Sequence, residues 1–217
     1  MVTIYFARHA EASNPRGILY GRLPGIDLSE TGRRQAAEMA AALGNIPLEA
    51  IYCSPLLRAR RTALALAAAH PNIPLRFSSL LLENRHPYEG RAHADVTALG
   101  DRVYDPEILG QTGETIQQIQ GRMVRFLRRA AAEHQDGIIA SIGHADPLAV
   151  LRAALLTKPM VVGSLRSEAP PPAAIFRVDY EPDGYSSLEW FWKPASAEHQ
   201  GREQKQELVV NGGLSAA

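Results

Sequence analysis

The chain has 217 residues, 46% of them hydrophobic, and its formal net charge is zero. This length fits one domain with a hydrophobic core, and the charge balance gives no indication of a nucleic-acid or membrane partner. The single cysteine, Cys53, excludes an internal disulfide and favours a reducing compartment. Because the chain has neither a signal-peptide pattern nor a run of ~20 apolar residues, we expect a soluble cytoplasmic protein.

The first part of the chain alternates apolar strand patterns with helical ones. Strands are predicted over 2–7 and 50–55, and helices over 28–43 and 56–70. Ser29 is the expected N-cap of the first helix. An extended run is predicted over 72–83, ending at Glu83.

The second part continues this alternation. We predict a short helix over 93–100, a long helix over 113–134, a strand over 137–144 and a helix opened by Pro147. Two further strands, 173–180 and 186–192, flank an Asp-Gly turn and form a hairpin. The pattern predicts one α/β domain over 1–193 with a mostly parallel sheet. The polar residues 194–217 are predicted to be a mobile tail.

Two histidines follow predicted strands directly. His9 comes after Arg8 at the end of the first strand, and His144 ends the strand over 137–144. In sheets of this class, ligands bind beyond the carboxyl ends of the strands. Two histidines at equivalent strand ends therefore indicate a functional site. His86 and His93, in an irregular segment, have poor spacing for a metal pair, and we expect no metal site.

Arg58 and Glu83 complete a candidate constellation. Arg58 lies in the first turn of a helix that starts at a strand end, where the free N–H groups already favour an anion. Glu83 closes an apolar run, which suits either a salt-bridge partner or a proton donor. Two arginines and a histidine can hold the oxygens of a phosphoryl group, a neutral imidazole can attack the phosphorus, and a carboxylic acid can protonate the leaving oxygen.

The motifs at these positions resemble those of the histidine phosphatase superfamily, which includes the phosphoglycerate mutases. FARHAEA resembles its Arg-His-Gly signature, and LYGRLPGIDLSETGRRQA resembles its first loop and helix. SPLLRARRTA, LLLEN, GET and SIGHADP are similar to the second arginine motif, the acid segment, a helix start and the second histidine motif. The order agrees with the family over about residues 2 to 155.

The resemblance implies a role for each matching residue. His9 would be the phosphorylated nucleophile, and Glu83 the general acid and base. Gly21 matches a loop glycine that meets the substrate in mutases. The resemblance also implies a three-layer α/β/α fold with a mostly parallel sheet and no requirement for a metal or another cofactor. The phosphate pocket would consist of Arg8, Arg58 and His144.

The sequence departs from the family pattern at three places. Ala10 replaces the usual glycine after His9, as in some phosphatases of the family. Asn14, the candidate phosphate contact, lies one position before the asparagine that many relatives use. His144 is followed by Ala-Asp where the family has glycine, and Asp146 would either contact substrate or cap the next helix. We favour the cap.

The function that we expect is metal-independent hydrolysis of a phosphomonoester through a phosphohistidine, on a small phosphorylated metabolite. A mutase is the alternative, although the segment after Glu83 is short and lacks the pattern of the mutases. A non-catalytic phospho-ligand binder is the second alternative. Arg22 and Arg85 either bind a second anionic group of the substrate or face water. The hairpin, with Trp190 and Trp192, offers a sheet edge for a homodimer, but core packing is the favoured use of at least one tryptophan.

Overall fold

One seven-stranded mixed sheet organises the part of the chain that the computed structural model describes, residues 1–181, 185–195 and 208–211. The strand order is β3-β2-β4-β1-β5-β6-β7. The strands are β1 (Val2–Arg8), β2 (Ala50–Cys53), β3 (Leu75–Phe77), β4 (Ile138–Gly143), β5 (Ile175–Tyr180), β6 (Tyr185–Trp192) and β7 (Leu208–Asn211).

The sheet is parallel in one half and antiparallel in the other. Strands β1 to β4 pair in parallel, whereas β5 is antiparallel to β1, and β5, β6 and β7 pair antiparallel in turn. The expectation of a mostly parallel sheet therefore holds for the first four strands. The β5–β6 pairing is antiparallel because these strands form the predicted hairpin, and a short connection can join only antiparallel strands. The antiparallel pairings of β5 with β1 and of β6 with β7 do not follow from the sequence pattern.

Helices cover both faces of the sheet, which confirms the three-layer α/β fold. Ser29 caps α1 by accepting from the N–H of Gly32, and Thr115 and Gln118 form a capping box at α5. The helices are α1 (Glu30–Leu43), α2 (Leu57–Ala69), α3 (His93–Thr97), α4 (Pro106–Leu109), α5 (Ile116–Glu133), α6 (Ala145–Leu155) and α7 (Val162–Glu168).

Two hydrophobic clusters form the core, one on each face of the sheet. Ile4 and Phe6 of β1 pack with residues of α5 and α6, whereas Tyr5 and Ala7 pack with residues of α1 and α2. This division follows from the alternation of side chains along a strand. Both faces of β1 are therefore buried, as its continuous apolar sequence predicts.

Two local predictions are corrected. The run over 72–83 is extended only in β3, because a 3₁₀ turn over Ser79–Leu81 follows and redirects the chain before Glu83. The helix expected to open at Pro147 begins at Ala145. Proline fits inside the first turn because the N–H that it lacks would have no partner within the helix there.

The C-terminal predictions are tested only in part. The Asp-Gly turn over 182–184 and most of the predicted tail over 194–217 lie outside the described residues. β7 pairs with β6, so the predicted hairpin does not supply the sheet edge. Trp190 and Trp192 are partly buried against the two clusters, which confirms core packing for them.

Candidate active site

His9 and His144 lie side by side where β1 and β4 end. The parallel register pairs Arg8 with Gly143, and the N–H of His9 donates to the carbonyl of Gly143 at 2.9 Å. The two imidazole ring centroids are 5.0 Å apart, and both residues are buried. The pairing of two strands far apart in sequence thus creates the centre of the site.

The environment of His9 favours a neutral ring with a lone pair on Nε2. Nδ1 lies 2.7 Å from the carbonyl oxygen of Ala10, which can only accept, so Nδ1 carries the proton. Nε2 accepts from Nε of Arg58 at 3.2 Å. Burial, and then the positive charges of Arg58 and Arg8, hold the pKa of His9 well below its usual value. At neutral pH the imidazole is therefore uncharged and nucleophilic.

Arg58 is fully buried beside His9, in the first turn of α2. One terminal nitrogen donates to the carbonyl of Gly21 at 2.7 Å, and the guanidinium lies 4.7 Å from the ring centroid of Tyr20. Gly21 has φ +39°, and a Cβ there would collide with the carboxylate of Glu89. The carbonyl of Gly21 therefore fixes the guanidinium, and a larger residue at this position would have to displace the Glu89 side chain, which accepts from the N–H of Arg22.

Three buried nitrogens around His9 have no hydrogen-bond partner in the described part of the chain: Nε of Arg8, Nη1 of Arg58 and Nδ1 of His144. A buried donor without a partner is costly, so such groups indicate where a ligand is accepted. Arg8 is held by the carbonyl of Pro170 at 2.9 Å, and Nε2 of His144 lies 2.7 Å from Oγ of Ser54. When the Ser54 hydroxyl donates to Nε2, Nδ1 of His144 carries a proton and is a third donor for an anion.

Glu83 is a buried carboxyl group with an unusual proton affinity. Burial raises its pKa to about 7, the negative charge of Asp146 adds to this, and Arg58 opposes it. The N–H of Asn84 donates to Oε1 of Glu83 at 2.9 Å. The carboxyl group can therefore hold or release a proton near neutral pH.

Asp146 does not cap α6, contrary to our expectation, because His144 occupies the N-cap position. Its Oδ2 instead accepts from the hydroxyl of Tyr104 at 2.7 Å and from the side-chain amide of Asn84 at 2.8 Å. Nε2 of His86 is 3.8 Å away. Burial acts to raise the pKa of Asp146, but these groups outweigh it and lower the pKa, so that Asp146 is charged.

The side chains of the other predicted substrate contacts form no hydrogen bond with His9 in the described structure. Asn14 stabilises its own loop, since its side chain forms two hydrogen bonds with the backbone of Ile18. Arg22 donates through Nε to the carbonyl of Glu83 at 2.6 Å and pairs with Glu114. Arg85 is exposed. These arginines lie beside the acid segment rather than among the phosphate-pocket residues.

Comparison with known proteins identifies the family of this chain. The family model of the histidine phosphatase superfamily, branch 1, matches residues 4–193. The chain belongs to the histidine phosphatase superfamily. The resemblance seen in the sequence motifs is thus confirmed.

The relatives of this chain include proteins that are named as phosphatases. Phosphoserine phosphatase 1 of Hydrogenobacter thermophilus is 31% identical over 72% of this chain and 77% of the relative. An uncharacterised protein of Mycobacterium tuberculosis is 35% identical over 71% of this chain and 79% of the relative. The crystal structure of a putative alpha-ribazole-5'-P phosphatase from Escherichia coli superimposes with a TM-score of 0.73 and 22% identity, over 87% of this chain and 95% of that one. This structural likeness establishes the fold alone.

The sequence did not reveal four polar residues of this candidate site: Ser54, Thr62, Asn84 and Tyr104. Thr62 accepts from the N–H of Ala10 and donates to the carbonyl of Arg58, which ties the end of β1 to α2. Ser54 carries a usable signal, since it directly follows β2 at the same sheet edge as His9. The sequence around Tyr104 gives no such signal, because Tyr104 comes from the irregular segment between Glu83 and α5.

The described residues contain no group of three or more histidine, cysteine, aspartate or glutamate side chains arranged to hold a metal ion. They also contain no helix with the length and apolar composition needed to cross a membrane.

Proposed function

We propose that this histidine phosphatase hydrolyses phosphomonoesters through a phosphohistidine formed on His9. The observation that carries the proposal is the combination of a buried neutral imidazole with a carboxyl group that titrates near neutral pH, Glu83. Three buried nitrogens without partners, on Arg8, Arg58 and His144, supply the donors that a phosphoryl group needs. Non-catalytic binding would need only the donors and not the nucleophile or the acid.

The first step transfers the phosphoryl group to the protein. Nε2 of His9 attacks the phosphorus and forms the P–N bond while the bond to the ester oxygen breaks. Glu83, protonated, gives its proton to the leaving oxygen, so that an alcohol departs. Nε of Arg58, which now donates to Nε2 of His9, turns to a phosphoryl oxygen, and the fixed positive charges stabilise the transition state.

The second step returns the protein to its starting state. The carboxylate of Glu83 removes a proton from water, whose oxygen attacks the phosphorus as the P–N bond breaks. Inorganic phosphate leaves, His9 is again neutral, and Glu83 is again protonated. One residue acts as acid and then as base, which requires a pKa close to the working pH.

Hydrolysis is favoured over mutase chemistry by the relatives and by the segment after Glu83. A phosphoserine phosphatase and an alpha-ribazole phosphatase are among the relatives, as is a 2,3-bisphosphoglycerate-dependent phosphoglycerate mutase at 29% identity. A mutase must protect its phosphohistidine from water. Here the segment between Glu83 and α5 is short, which supports a site that water can enter. We propose a small phosphorylated metabolite as the substrate and the cytoplasm as the location.

The proposal also gives a role to each of the other predicted substrate contacts. Gly21 acts through the guanidinium of Arg58, and Arg22 through the backbone of Glu83. Asn14 would shape the loop over the site. Arg85, exposed beside Glu83, is available to a second anionic group of the substrate.

The test is the release of phosphate from p-nitrophenyl phosphate with excess chelator. We expect turnover by the wild type, no turnover by His9→Ala, and unchanged turnover by the control His93→Ala, whose imidazole is exposed and outside the site. Turnover by His9→Ala would overturn the proposal. If the wild type is inactive, isomerisation of 3-phosphoglycerate would identify a mutase, and binding of phosphate without either reaction would identify a binder.

A further inference from the structure

A groove lies along the outer face of α5, beside the acid segment. Its volume is about 660 Å³, within the range of sites that hold small molecules. The lining does not include His9, Arg58, His144 or Glu83. Among the described residues, one carboxylate, Glu114, lines it together with four glutamines and five arginines: Arg22, Arg85, Arg122, Arg125 and Arg128.

Both oxygens of the Glu114 carboxylate accept hydrogen bonds from arginine side chains of the protein. Its Oε1 accepts from Nε of Arg122 at 2.7 Å, and its Oε2 accepts from Arg22 at 2.9 Å. Two guanidiniums thus share one negative charge, and this part of the groove remains positive. The two arginines also contact the acid segment, because Arg122 donates to the carbonyl of Leu80 and Arg22 to that of Glu83.

Arg85 and Arg125 contribute further positive charge to the groove. Both residues are exposed, and within the described part of the chain neither side chain forms a hydrogen bond or ion pair. Since the whole chain has a net charge of zero, this concentration of positive charge is local. A guanidinium presents paired donors that match phosphate and carboxylate groups.

An ordinary solvated helix face is the alternative explanation. Such faces usually combine opposite charges three or four residues apart. In α5 the only acidic residue is Glu133, which pairs with Arg129 outside the groove. Arg125 precedes Glu133 by two turns and is beyond that spacing. The positive charge of the groove is therefore not balanced along its own helix.

We propose that this groove is a second anion site, which binds a small molecule or substituent carrying at least two phosphate or carboxylate groups. Arg85 and Arg125 would hold the anionic groups, and the glutamine amides would donate to their remaining oxygens. The ligand is either a free polyanion or the far end of a substrate whose phosphate ester lies at His9.

The test is isothermal titration calorimetry with inorganic tripolyphosphate, which does not depend on turnover. We expect Arg125→Gln to weaken binding at least about tenfold, because a charge-assisted contact contributes that much. The control Arg129→Gln, which removes one charge from the same helix outside the groove, should change the dissociation constant less than about twofold. Thermal unfolding of each variant establishes that it is folded.

Kinetics then separate the two sources of the ligand. The KM for p-nitrophenyl phosphate reports the pocket at His9 and should be the same in the wild type and in Arg125→Gln. If the groove holds part of the substrate, Arg125→Gln raises the KM for a sugar bisphosphate. If it holds a free polyanion, that KM is unchanged while tripolyphosphate binding is still lost. Equal tripolyphosphate affinities in the wild type, Arg125→Gln and Arg129→Gln would overturn the proposal.

Discussion

The carboxyl groups of Glu83 and Asp146 are joined through one residue, Asn84. The backbone N–H of Asn84 donates to Glu83 at 2.9 Å, and its side-chain amide donates to Asp146 at 2.8 Å. Asp146 is charged, and after burial its charge is the largest cause of the raised pKa of Glu83, about 7. Asp146 therefore favours the protonated form that Glu83 needs in order to act as an acid.

Asp146→Asn should shift the pH dependence of hydrolysis. The substitution removes a negative charge that raises the pKa of Glu83, so this pKa falls, although Arg58 and Arg8 still face the carboxyl group. Glu83 then loses its proton at lower pH. We expect the high-pH limb of kcat/KM for p-nitrophenyl phosphate to move to lower pH and the rate near neutral pH to fall several-fold.

Asp101→Asn is the control for this shift, because it removes the charge of an exposed acid outside the site. Its pH profile should match that of the wild type. If Asp146→Asn lowers the rate equally at every pH, the charge of Asp146 does not tune Glu83, and the role of Asp146 is to hold Asn84 and Tyr104 in position.

Glu83→Gln should slow the first step, and the loss of rate should be larger for a substrate whose leaving group needs a proton. Loss of a general acid typically costs 10²–10⁴-fold in rate, but a p-nitrophenolate ion departs without a proton far more readily than an alkoxide. We expect the larger loss of kcat with an alkyl phosphate such as glycerol phosphate. Glu107→Gln, at an exposed position, should leave both rates unchanged. Equal losses for the two substrates would exclude Glu83 as the proton donor.

The centre of the site could be predicted from the sequence because it depends on strand ends. His9 and His144 each follow an apolar run, and a parallel sheet brings the ends of its strands to one edge. Arg58 was also found, since a helix start after a strand lies at that edge. The register of β1 and β4 then brings the two imidazoles together.

The surroundings of Glu83 could not be predicted in the same way. Asn84, Tyr104 and Asp146 come from three separate segments, and Tyr104 lies in a region without a strong hydrophobic period. Asp146 at the start of a helix suggested a cap, a local interaction, but a tertiary contact with Tyr104 determines its position. Local patterns carry no information about such contacts.

Binding of phosphate should stabilise the protein through the buried nitrogens that lack partners. A ligand present at 100 times its dissociation constant adds about 2.7 kcal/mol to the free energy of unfolding. We expect orthophosphate to raise the Tm of the wild type in a differential scanning experiment at constant ionic strength. Arg58→Gln should lose most of this increase, whereas Arg34→Gln, on the exposed face of α1, should keep it. If orthophosphate raises the Tm of Arg58→Gln as much as that of the wild type, phosphate binds outside the pocket of Arg58.

Gly21→Ala should impair catalysis by displacing the carbonyl that holds Arg58. A left-handed residue other than glycine costs about 1 kcal/mol, and at Gly21 the added Cβ would also collide with the carboxylate of Glu89. Gly25→Ala is the matched control, because Gly25 also has a positive φ, +78°, but a Cβ there meets no atom within 4 Å. Both variants should lose a similar amount of stability from the backbone, and Gly21→Ala alone should lose about tenfold or more in kcat/KM for p-nitrophenyl phosphate. If the two variants lose activity equally, the contact between Gly21 and Arg58 does not position the guanidinium for the reaction.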